Sequence, residues 1–287
     1  MRRLFDWIFY GHLWIAAAAS ALAWLSVRLV FADVYYPGEA RLYAMIFAAT
    51  FSVYTLHRLL SFRRAKGFPT AKRYRLVREQ PTLSLALGLS AGLLALVLGW
   101  PWITGMLPSL LWAVPITVFY LTPPWAGWRR LRDLPYVKAI WVGIAWSIVT
   151  AEIPINVVLD FSDATHRPTE IIFCFGYPPD YPYGLPVIWL VRCCFTVALA
   201  LLFDLRDTDL DTRQGVRTLA AERPVVHRLL VLLLLLTCAY LSYSPVAYLL
   251  VLPVIYLTYF RTDEDWYAVA VNGLLFVPPL VYGTYLL

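Results

Sequence analysis

The sequence predicts an all-α, polytopic membrane protein, on the basis of its composition, its long apolar segments and the uneven distribution of its basic residues. Of its 287 residues, 61% are hydrophobic and 15% are charged. Soluble domains have about 45–50% apolar and about 25% charged residues. The composition therefore excludes a soluble enzyme, a disordered chain and a secreted disulfide scaffold. In a membrane protein, the net charge of +6 reflects how Lys and Arg are distributed between the two sides of the membrane, and we expect no nucleic-acid partner.

Nine transmembrane helices are predicted from apolar segments that are separated by charge clusters and by Pro or Gly breaks. The seventh and eighth are short and are joined by a tight reversal at residues 242–245. We treat residues 1–287 as a single domain, in which a long outer loop, rich in Pro and Tyr, covers residues 159–184. The nine predicted helices lie approximately at residues 11–31, 42–61, 82–100, 107–122, 137–158, 185–203, 226–241, 246–260 and 267–287.

The basic residues give the orientation, because cytosolic loops of membrane proteins are enriched in Lys and Arg. With the N-terminus in the cytosol, the nine-helix topology places 20 of the 24 Lys and Arg residues on the cytosolic side. One helix more or fewer would invert the later loops and destroy this asymmetry. We therefore expect a multi-pass integral membrane protein of the inner (plasma) membrane with a cytosolic N-terminus.

An acidic stretch after the sixth predicted helix is the main candidate for chemistry. Residues 203–220 read FDLRDTDLDTRQGVRTLA and contain four aspartates, against the basic trend of the cytosolic loops. On a helix, Asp204, Asp207 and Asp211 fall within about 60° of one another, whereas Asp209 points to the other side. Three carboxylates on one face repel one another unless a cation lies among them, and oxygen ligands suit Mg²⁺. The alternative is a solvated loop of exposed Asp–Arg pairs.

The same stretch, within the predicted loop 204–224, resembles the second aspartate motif of the UbiA superfamily of intramembrane prenyltransferases. That motif is Asp-x-x-x-Asp, here Asp207 and Asp211, followed by a Gly and an Arg-Thr-Leu tail, here residues 215–219. Members have nine transmembrane helices with their acidic motifs on the cytosolic side, which matches the predicted topology. Residues 131–146, LRDLPYVKAIWVGIAW, are similar to the basic segment that opens the fifth helix of the family.

The resemblance implies that a prenyl diphosphate loses its diphosphate and that the resulting allylic carbocation reacts with an aromatic or lipid acceptor. In the family, Mg²⁺ held by carboxylates neutralises the leaving diphosphate together with Lys and Arg. This implies catalytic roles for Asp207 and Asp211, with at most one Mg²⁺ held by these two residues and Asp204. The candidate substrate-binding residues are His57, Arg130, Arg132, Lys138, Arg206, Arg213 and Arg217.

The first aspartate motif of the family is missing from this sequence. Family enzymes carry an Asn-Asp-x-x-Asp motif at the inner end of the second helix. Residues 54–61 (YTLHRLLS) contain no carboxylate, and none occurs between Glu39 and Glu79. Arg58 lies about where an aspartate is expected, so it is a candidate catalytic residue. His57 and Arg58 are either an anion clamp or ordinary residues of the membrane interface.

Two functions follow from this pattern. The first is a divergent UbiA-like prenyltransferase that uses an isoprenyl diphosphate and an aromatic or lipid acceptor in the membrane. The second is a catalytically degenerate relative that binds an isoprenoid or quinone, or that is a structural subunit of a membrane complex with partner membrane subunits. Three explanations of the missing motif stay open: one metal ion suffices, His57 and Arg58 act on the diphosphate directly, or catalysis has been lost.

Other residues of the predicted helices carry structural expectations. Glu152 and Arg192 lie in the outer halves of two adjacent helices, and charges inside a bilayer are usually paired, so we expect an ion pair between them. The acidic group at residues 263–265 is expected to cap a loop. Three aromatic residues are candidate walls of a cavity for a lipid tail: Tyr120, Trp141 and Trp146.

Overall fold

The protein is helical throughout the part of the chain that the structure describes. The structure is a computed structural model, and it describes residues 2–31, 37–64, 71–164, 184–213, 215–242, 244–261 and 263–285. Within these ranges the regular structure contains helices and no strand, which confirms the predicted all-α class. A helix satisfies its own backbone hydrogen bonds, as a segment surrounded by lipid requires. Most of the predicted outer loop 159–184 lies outside the described residues.

Nine long helical segments of the described chain are numbered α1 to α9. Three of them are interrupted: α5 by a π-helical turn at Ile148–Glu152, α8 by a break before Leu252, and α9 by turns between residues 267 and 276. The bounds are α1 Leu13–Phe31, α2 Glu39–Arg64, α3 Pro81–Gly99, α4 Ile103–Leu121, α5 Lys138–Ser147 with Ile153–Ala164, α6 Leu185–Arg213, α7 Pro224–Leu241, α8 Pro245–Leu249 with Leu252–Thr258, and α9 Glu264–Trp266 with Val277–Tyr285.

Short helices connect these segments at one end of the bundle. Arg2–Phe5 and Asp6–Tyr10 precede α1, and Lys72–Tyr74 and Arg75–Glu79 lie between α2 and α3. A further turn, Leu219–Glu222, lies between α6 and α7 and is capped by the Thr218 side chain. Asp263 caps α9 by accepting a hydrogen bond from the backbone N–H of Trp266 at 2.8 Å, as predicted for this acidic group.

Seven segments of the described chain are long and apolar enough to cross a membrane, and an eighth, Pro245–Thr258, is shorter. One of the seven, Pro81–Leu121, contains both α3 and α4. The multi-pass membrane protein is thereby confirmed, and the helices lie within about four residues of their predicted bounds, except that α5 and α6 extend six and ten residues further. Nine crossings and a cytosolic N-terminus stay predictions.

The chain reverses direction between α3 and α4. Arg41, at the start of α2, donates to the carbonyl oxygen of Leu98 at the end of α3, at 2.7 Å. Arg64, at the end of α2, donates to the carbonyl oxygen of Leu121 at the end of α4. Helix α3 is therefore antiparallel to α2 and α4 is parallel to it, so that α3 and α4 form a hairpin.

Helix α1 lies inside the bundle, against α2, α5 and α9. Small side chains allow this close approach of neighbouring helices. The alanines Ala16, Ala18, Ala19 and Ala23 are at most 1% exposed. By contrast, α3, α4 and α7 expose rows of leucine and valine on the outside of the bundle, where membrane lipid would cover them.

The charged connections of the bundle meet at one end. Arg73, in the short helix after α2, donates to Asp207 near the end of α6. The backbone N–H of Tyr136, before α5, donates to the carbonyl oxygen of Arg217, after α6, at 3.2 Å. The connections after α2, α4 and α6 therefore share one face of the bundle, as the predicted topology requires.

The ion pair predicted between Glu152 and Arg192 is not formed by these two residues. The Glu152 carboxylate accepts a hydrogen bond from Ser109 Oγ at 2.7 Å. Arg192 donates to Thr150 Oγ1 at 3.0 Å and to Ser26 Oγ at 3.2 Å. Glu152 closes the π-helical turn of α5, and the wider turn rotates it away from the position that a regular α-helix would give. The helical period of 3.6 residues could not predict this rotation.

Candidate functional site

A cavity of about 300 Å³ lies among α2, α4, α5, α6, α9 and the segment before α1. Its volume falls at the lower end of the range for ligand sites, about 300–1,000 Å³. One part of its wall is charged, and the rest is aromatic and aliphatic. The charged side chains of the wall are Arg58, Arg73, Arg132, Lys138, Arg206, Asp204 and Asp207. The cavity thus brings together residues that the sequence placed in four separate segments.

The acidic stretch lies on a helix, because α6 continues to Arg213, beyond the predicted end of the sixth span at residue 203. Asp204 is 4% exposed and Asp211 is 1% exposed, whereas Asp209 is exposed. Asp207 also lies on the buried side, with its side chain 15% exposed. The prediction that three aspartates share one face is therefore confirmed, and that face points into the bundle.

Lys138 is the counterion of two of these aspartates. As the first residue of α5, it places Nζ 2.9 Å from Asp204 Oδ1 and 2.8 Å from Asp211 Oδ2. The second oxygen of Asp211, Oδ1, is buried and has no hydrogen-bond partner among the described residues. Lys138 lines the cavity, as predicted for a substrate-binding residue, but its ammonium group is already engaged by the protein.

Asp207 is held by two arginines. Arg206 binds it through Nε and Nη2, both at 2.9 Å, and Arg73 Nη1 donates to Oδ1, the oxygen that Arg206 Nε also binds. Burial alone would lower the pKa of Arg73, but the Asp207 carboxylate raises it above its ordinary value. Sequence reasoning did not single out Arg73, because it is one of eight basic residues between Arg58 and Arg78 and has no distinguishing neighbour.

The magnesium site predicted at Asp204, Asp207 and Asp211 does not fit this arrangement. Each carboxylate already has a protonated partner from the protein, at the short distances given above. In the described ranges, no group of three His, Cys, Asp or Glu side chains could hold a metal ion. Arg58 lines the same cavity as Asp204 and Asp207 and would repel a divalent cation there. The donor set of this cavity therefore favours an anion over Mg²⁺.

Arg58 and Arg132 line the same charged wall. The Arg58 guanidinium lies over the ring of Tyr74, 5.5 Å from its centroid. Arg132 Nε is buried without a hydrogen-bond partner among the described residues, and its nearest carboxylate oxygen, on Asp133, is 3.9 Å away. His57 lies on the helical turn of Arg58, and its Nε2 is likewise buried without a described partner.

The apolar wall lies deeper in the bundle. Trp146 is two turns beyond Lys138 on α5, which corresponds to about 12 Å along the helix axis. Its Nε1 donates to the hydroxyl of Tyr54 at 3.0 Å, and the two rings meet edge to face. Tyr120 and Trp141 line the same cavity nearer its charged end, with the Tyr120 ring 6.0 Å from that of His57, so all three aromatic candidates line the cavity. Their ring faces suit an apolar chain or a carbocation.

The segment before α1 adds a wall that sequence reasoning missed. His12 adopts a left-handed backbone conformation (φ 70°), which is uncommon for a residue with a side chain, and its ring lies 5.7 Å from that of Tyr54. Burial, together with the charge of Arg58, holds the pKa of His12 well below its ordinary value. His12 is therefore a neutral polar group of the cavity. The sequence carries no signal for it beyond a single His before an apolar run.

Two of the predicted substrate-binding residues lie outside the cavity. Arg130 is bound to Asp133 at 2.6 and 2.9 Å. Arg217 is exposed and forms hydrogen bonds of 2.6 and 2.9 Å with Glu222. Both arginines stabilise connections at the charged end of the bundle. The side chain of Arg213 lies outside the described part of the structure.

No family model matches the sequence, and no curated protein matches it. Three solved structures share its fold, each with 12% sequence identity. A UbiA homolog from Aeropyrum pernix K1 superimposes with a TM-score of 0.64 over 93% of this chain and 98% of that one. A UbiA homolog from Archaeoglobus fulgidus, bound to GPP and Mg²⁺, gives 0.52 over 96% and 86%. A digeranylgeranylglyceryl phosphate synthase gives 0.53 over the whole of both chains. At this identity the likeness shows the fold, and the chain has the fold of the UbiA homologs that its aspartate motif resembles.

Proposed function

We propose that this chain is a UbiA-like prenyltransferase, which transfers an isoprenyl group from a prenyl diphosphate to an aromatic or lipid acceptor in the membrane. The observation that carries the proposal is the cavity, in which a cation-rich end and an aromatic wall lie about 12 Å apart along α5. This division suits a ligand with an anionic head and an apolar tail.

The residues of the cavity suggest how the reaction would proceed. The C–O bond of the prenyl diphosphate breaks, and the diphosphate leaves with the electron pair. The cationic end stabilises the charge that develops on it. The aromatic faces of Tyr54, Tyr120 and Trp146 shelter the allylic carbocation from water. The acceptor then forms a bond to the allylic carbon and releases one proton.

The similar structures support an isoprenoid substrate. One of them is bound to GPP, and another is a synthase of digeranylgeranylglyceryl phosphate in membranes. These statements concern those proteins. The predicted roles of Asp207 and Asp211 change with the geometry. Because both are bound by protein cations, we propose that they act by holding those cations in place.

Transfer can be tested directly. The purified full-length protein, reconstituted in vesicles made from a bacterial lipid extract, is incubated with prenyl diphosphates of different length that are labelled at C1. We expect label to appear in a new lipid-soluble product, with release of an equal amount of diphosphate. Release of diphosphate with formation of the free prenyl alcohol would indicate hydrolysis without an acceptor. Binding without release would exclude the transferase and leave the second candidate.

The second candidate is an isoprenoid-binding or structural subunit without turnover, with partner membrane subunits. It is supported by the same ion pairs, because each of the three carboxylates of α6 is already bound by Lys138, Arg73 or Arg206, which disfavours the metal chemistry of the family. Co-purification of a stoichiometric isoprenoid or quinone, together with no diphosphate release, would favour this candidate.

We further propose the inner (plasma) membrane, with the charged end of the cavity in the cytosol. The support is the excess of Lys and Arg in the connections of that end. Single cysteines introduced at exposed positions 125 and 128 should react with a membrane-impermeant maleimide only from the cytosolic side. Labelling from the outer side would show that the proposed orientation is inverted. The native cysteines would first be replaced by serine or alanine.

A further inference from the structure

Five cationic side chains line the charged end of the cavity, and two of them lack a close carboxylate partner in the described chain. Lys138, Arg73 and Arg206 are held by the aspartates of α6. Arg58 forms no hydrogen bond or ion pair with a described residue, and its closest stabilising contact is the ring of Tyr74. A cation held inside a protein without a counterion is costly. The site is therefore built to receive an anion.

Arg132 is the second of these cations. Its Nε is buried without a hydrogen-bond partner, and the carboxylate 3.9 Å away, Asp133, is already bound by Arg130 through two hydrogen bonds. His57 Nε2 is a further buried group without a described hydrogen-bond partner. Arg58, Arg132 Nε and His57 Nε2 thus line one cavity without a hydrogen bond to a described residue.

We infer that Arg58, Arg132 and His57 bind the phosphate end of an isoprenoid phosphate directly, with no divalent cation between the phosphate and the aspartates of α6. The inference rests on the proposed function and identifies what replaces the missing first aspartate motif. A guanidinium presents paired N–H donors that match two phosphate oxygens, so that it can supply both the charge and the hydrogen bonds. His57 can donate one further hydrogen bond from Nε2.

The aspartates of α6 then act as positioning residues. Asp207 fixes Arg73 and Arg206, and Asp204 and Asp211 fix Lys138 at the edge of the same cavity. Their net effect is to keep three long, flexible cations in one place before the phosphate arrives. The phosphate would then meet an ordered cationic wall, and less conformational entropy would be lost on binding.

The first experiment tests the role of metal. The affinity of the full-length protein in detergent for a non-hydrolysable thiolodiphosphate analogue of geranylgeranyl diphosphate is measured by calorimetry, once in EDTA and once with added Mg²⁺. We expect the two dissociation constants to agree within about threefold. A larger loss in EDTA overturns the inference and leaves the proposed function standing. Absence of binding in both media, by protein that still unfolds cooperatively, overturns the proposed function as well.

The second experiment tests the residues. In EDTA, Arg58→Ala should weaken binding of the analogue by at least about tenfold, as expected for loss of a charge-assisted hydrogen bond. Arg58→Lys keeps the charge without the paired donors and should lose less. The control is Arg63→Ala, an exposed arginine of the same helix that does not line the cavity, which should bind normally. If Arg58→Ala does not fold, Arg132→Gln replaces it and should show the same loss. Unchanged affinity in the folded variant overturns the inference.

A third measurement separates head from tail. Inorganic diphosphate should compete with the analogue in the unsubstituted protein, which identifies the phosphate as the recognised group. Geranylgeraniol, which has the tail without the phosphate, should bind the Arg58→Ala and unsubstituted proteins equally. An equal loss for the alcohol and the analogue would show that Arg58 shapes the cavity without binding phosphate, and would overturn the inference.

Discussion

Replacing Lys138 by methionine removes the cation that two buried carboxylates share. Its Nζ lies 2.9 Å from Asp204 Oδ1 and 2.8 Å from Asp211 Oδ2, and the two carboxylate side chains are 6% and 1% exposed. Within the described residues neither carboxylate has another hydrogen-bond donor. Methionine keeps the length and the apolar stem of lysine, so the substitution reports the loss of the charge.

The expected loss of stability follows from this burial. Removing one partner of a buried ion pair costs about 3–5 kcal/mol, because the remaining charge is left without compensation. Lys138 is 13% exposed and Asp211 is 1% exposed, so little water can replace the ammonium group around that carboxylate. We expect the free energy of unfolding of Lys138→Met to fall by about 3 kcal/mol or more.

The free energy of unfolding is measured in mixed micelles of a mild detergent with increasing SDS. Lys138→Arg should retain most of the stability, because it keeps the positive charge. Adding Asp211→Asn to Lys138→Met should recover part of the loss, since one of the two buried charges is removed. The control Asp209→Asn, at an exposed position of the same helix, should change stability by less than about 0.5 kcal/mol.

One result would refute the reasoning. A loss below about 1 kcal/mol for Lys138→Met, the size of an ordinary substitution, would mean that the aspartates have another counterion. The same titration in EDTA and in Mg²⁺ would then identify it. A stabilisation of the variant by Mg²⁺ alone would restore the magnesium site that the structure does not support.

Two further predictions concern packing and pH. In Gly143→Ala the new Cβ would lie 2.3 Å from Val197 Cγ2, so α5 and α6 must separate, which should lower the free energy of unfolding by about 1–3 kcal/mol. The control is Gly273→Ala, in which the nearest atom to the new Cβ is 3.9 Å away. Equal stability of the two variants would contradict the close packing of α5 against α6. Hydrogen bonds from Arg217 and then Tyr136 lower the pKa of Glu222 to about 2 from an ordinary 4.5. The stabilisation by ionised Glu222 is therefore present above about pH 4.5 and is lost as the pH falls towards 2. The difference in melting temperature between the unsubstituted protein and Glu222→Gln should be constant from about pH 5 to 8 and should shrink by about pH 3. A difference that grows on acidification would contradict the lowered pKa of Glu222.

The sequence by itself determined the membrane class, the positions of the helices and the acidic face of α6. Each of these depends on neighbours along the chain. A segment that crosses a bilayer needs about 20 apolar residues whatever it packs against, so its place can be read locally. The common face of Asp204, Asp207 and Asp211 follows from the helical period alone, and their burial agrees with it. The sequence resemblance to the UbiA superfamily rested on Asp207, Asp211 and the tail at residues 215–219, and the fold agrees with it.

Only the tertiary structure decided which cation neutralises which carboxylate. Arg73 and Asp207 are 134 positions apart, and Lys138 and Asp211 are 73 apart. The basic residues of the charged connections look alike in the sequence. Which carboxylate each one binds depends on how the helices pack, and the sequence pattern does not contain that information. Packing also decided that Glu152 and Arg192 do not form an ion pair, because the π-helical turn that ends at Glu152 changes the direction of its side chain. A magnesium site was expected because three aspartates share one face of α6. In the folded bundle, protein cations bind all three aspartates, and Arg58 and Arg132 line the cavity where an anion can bind.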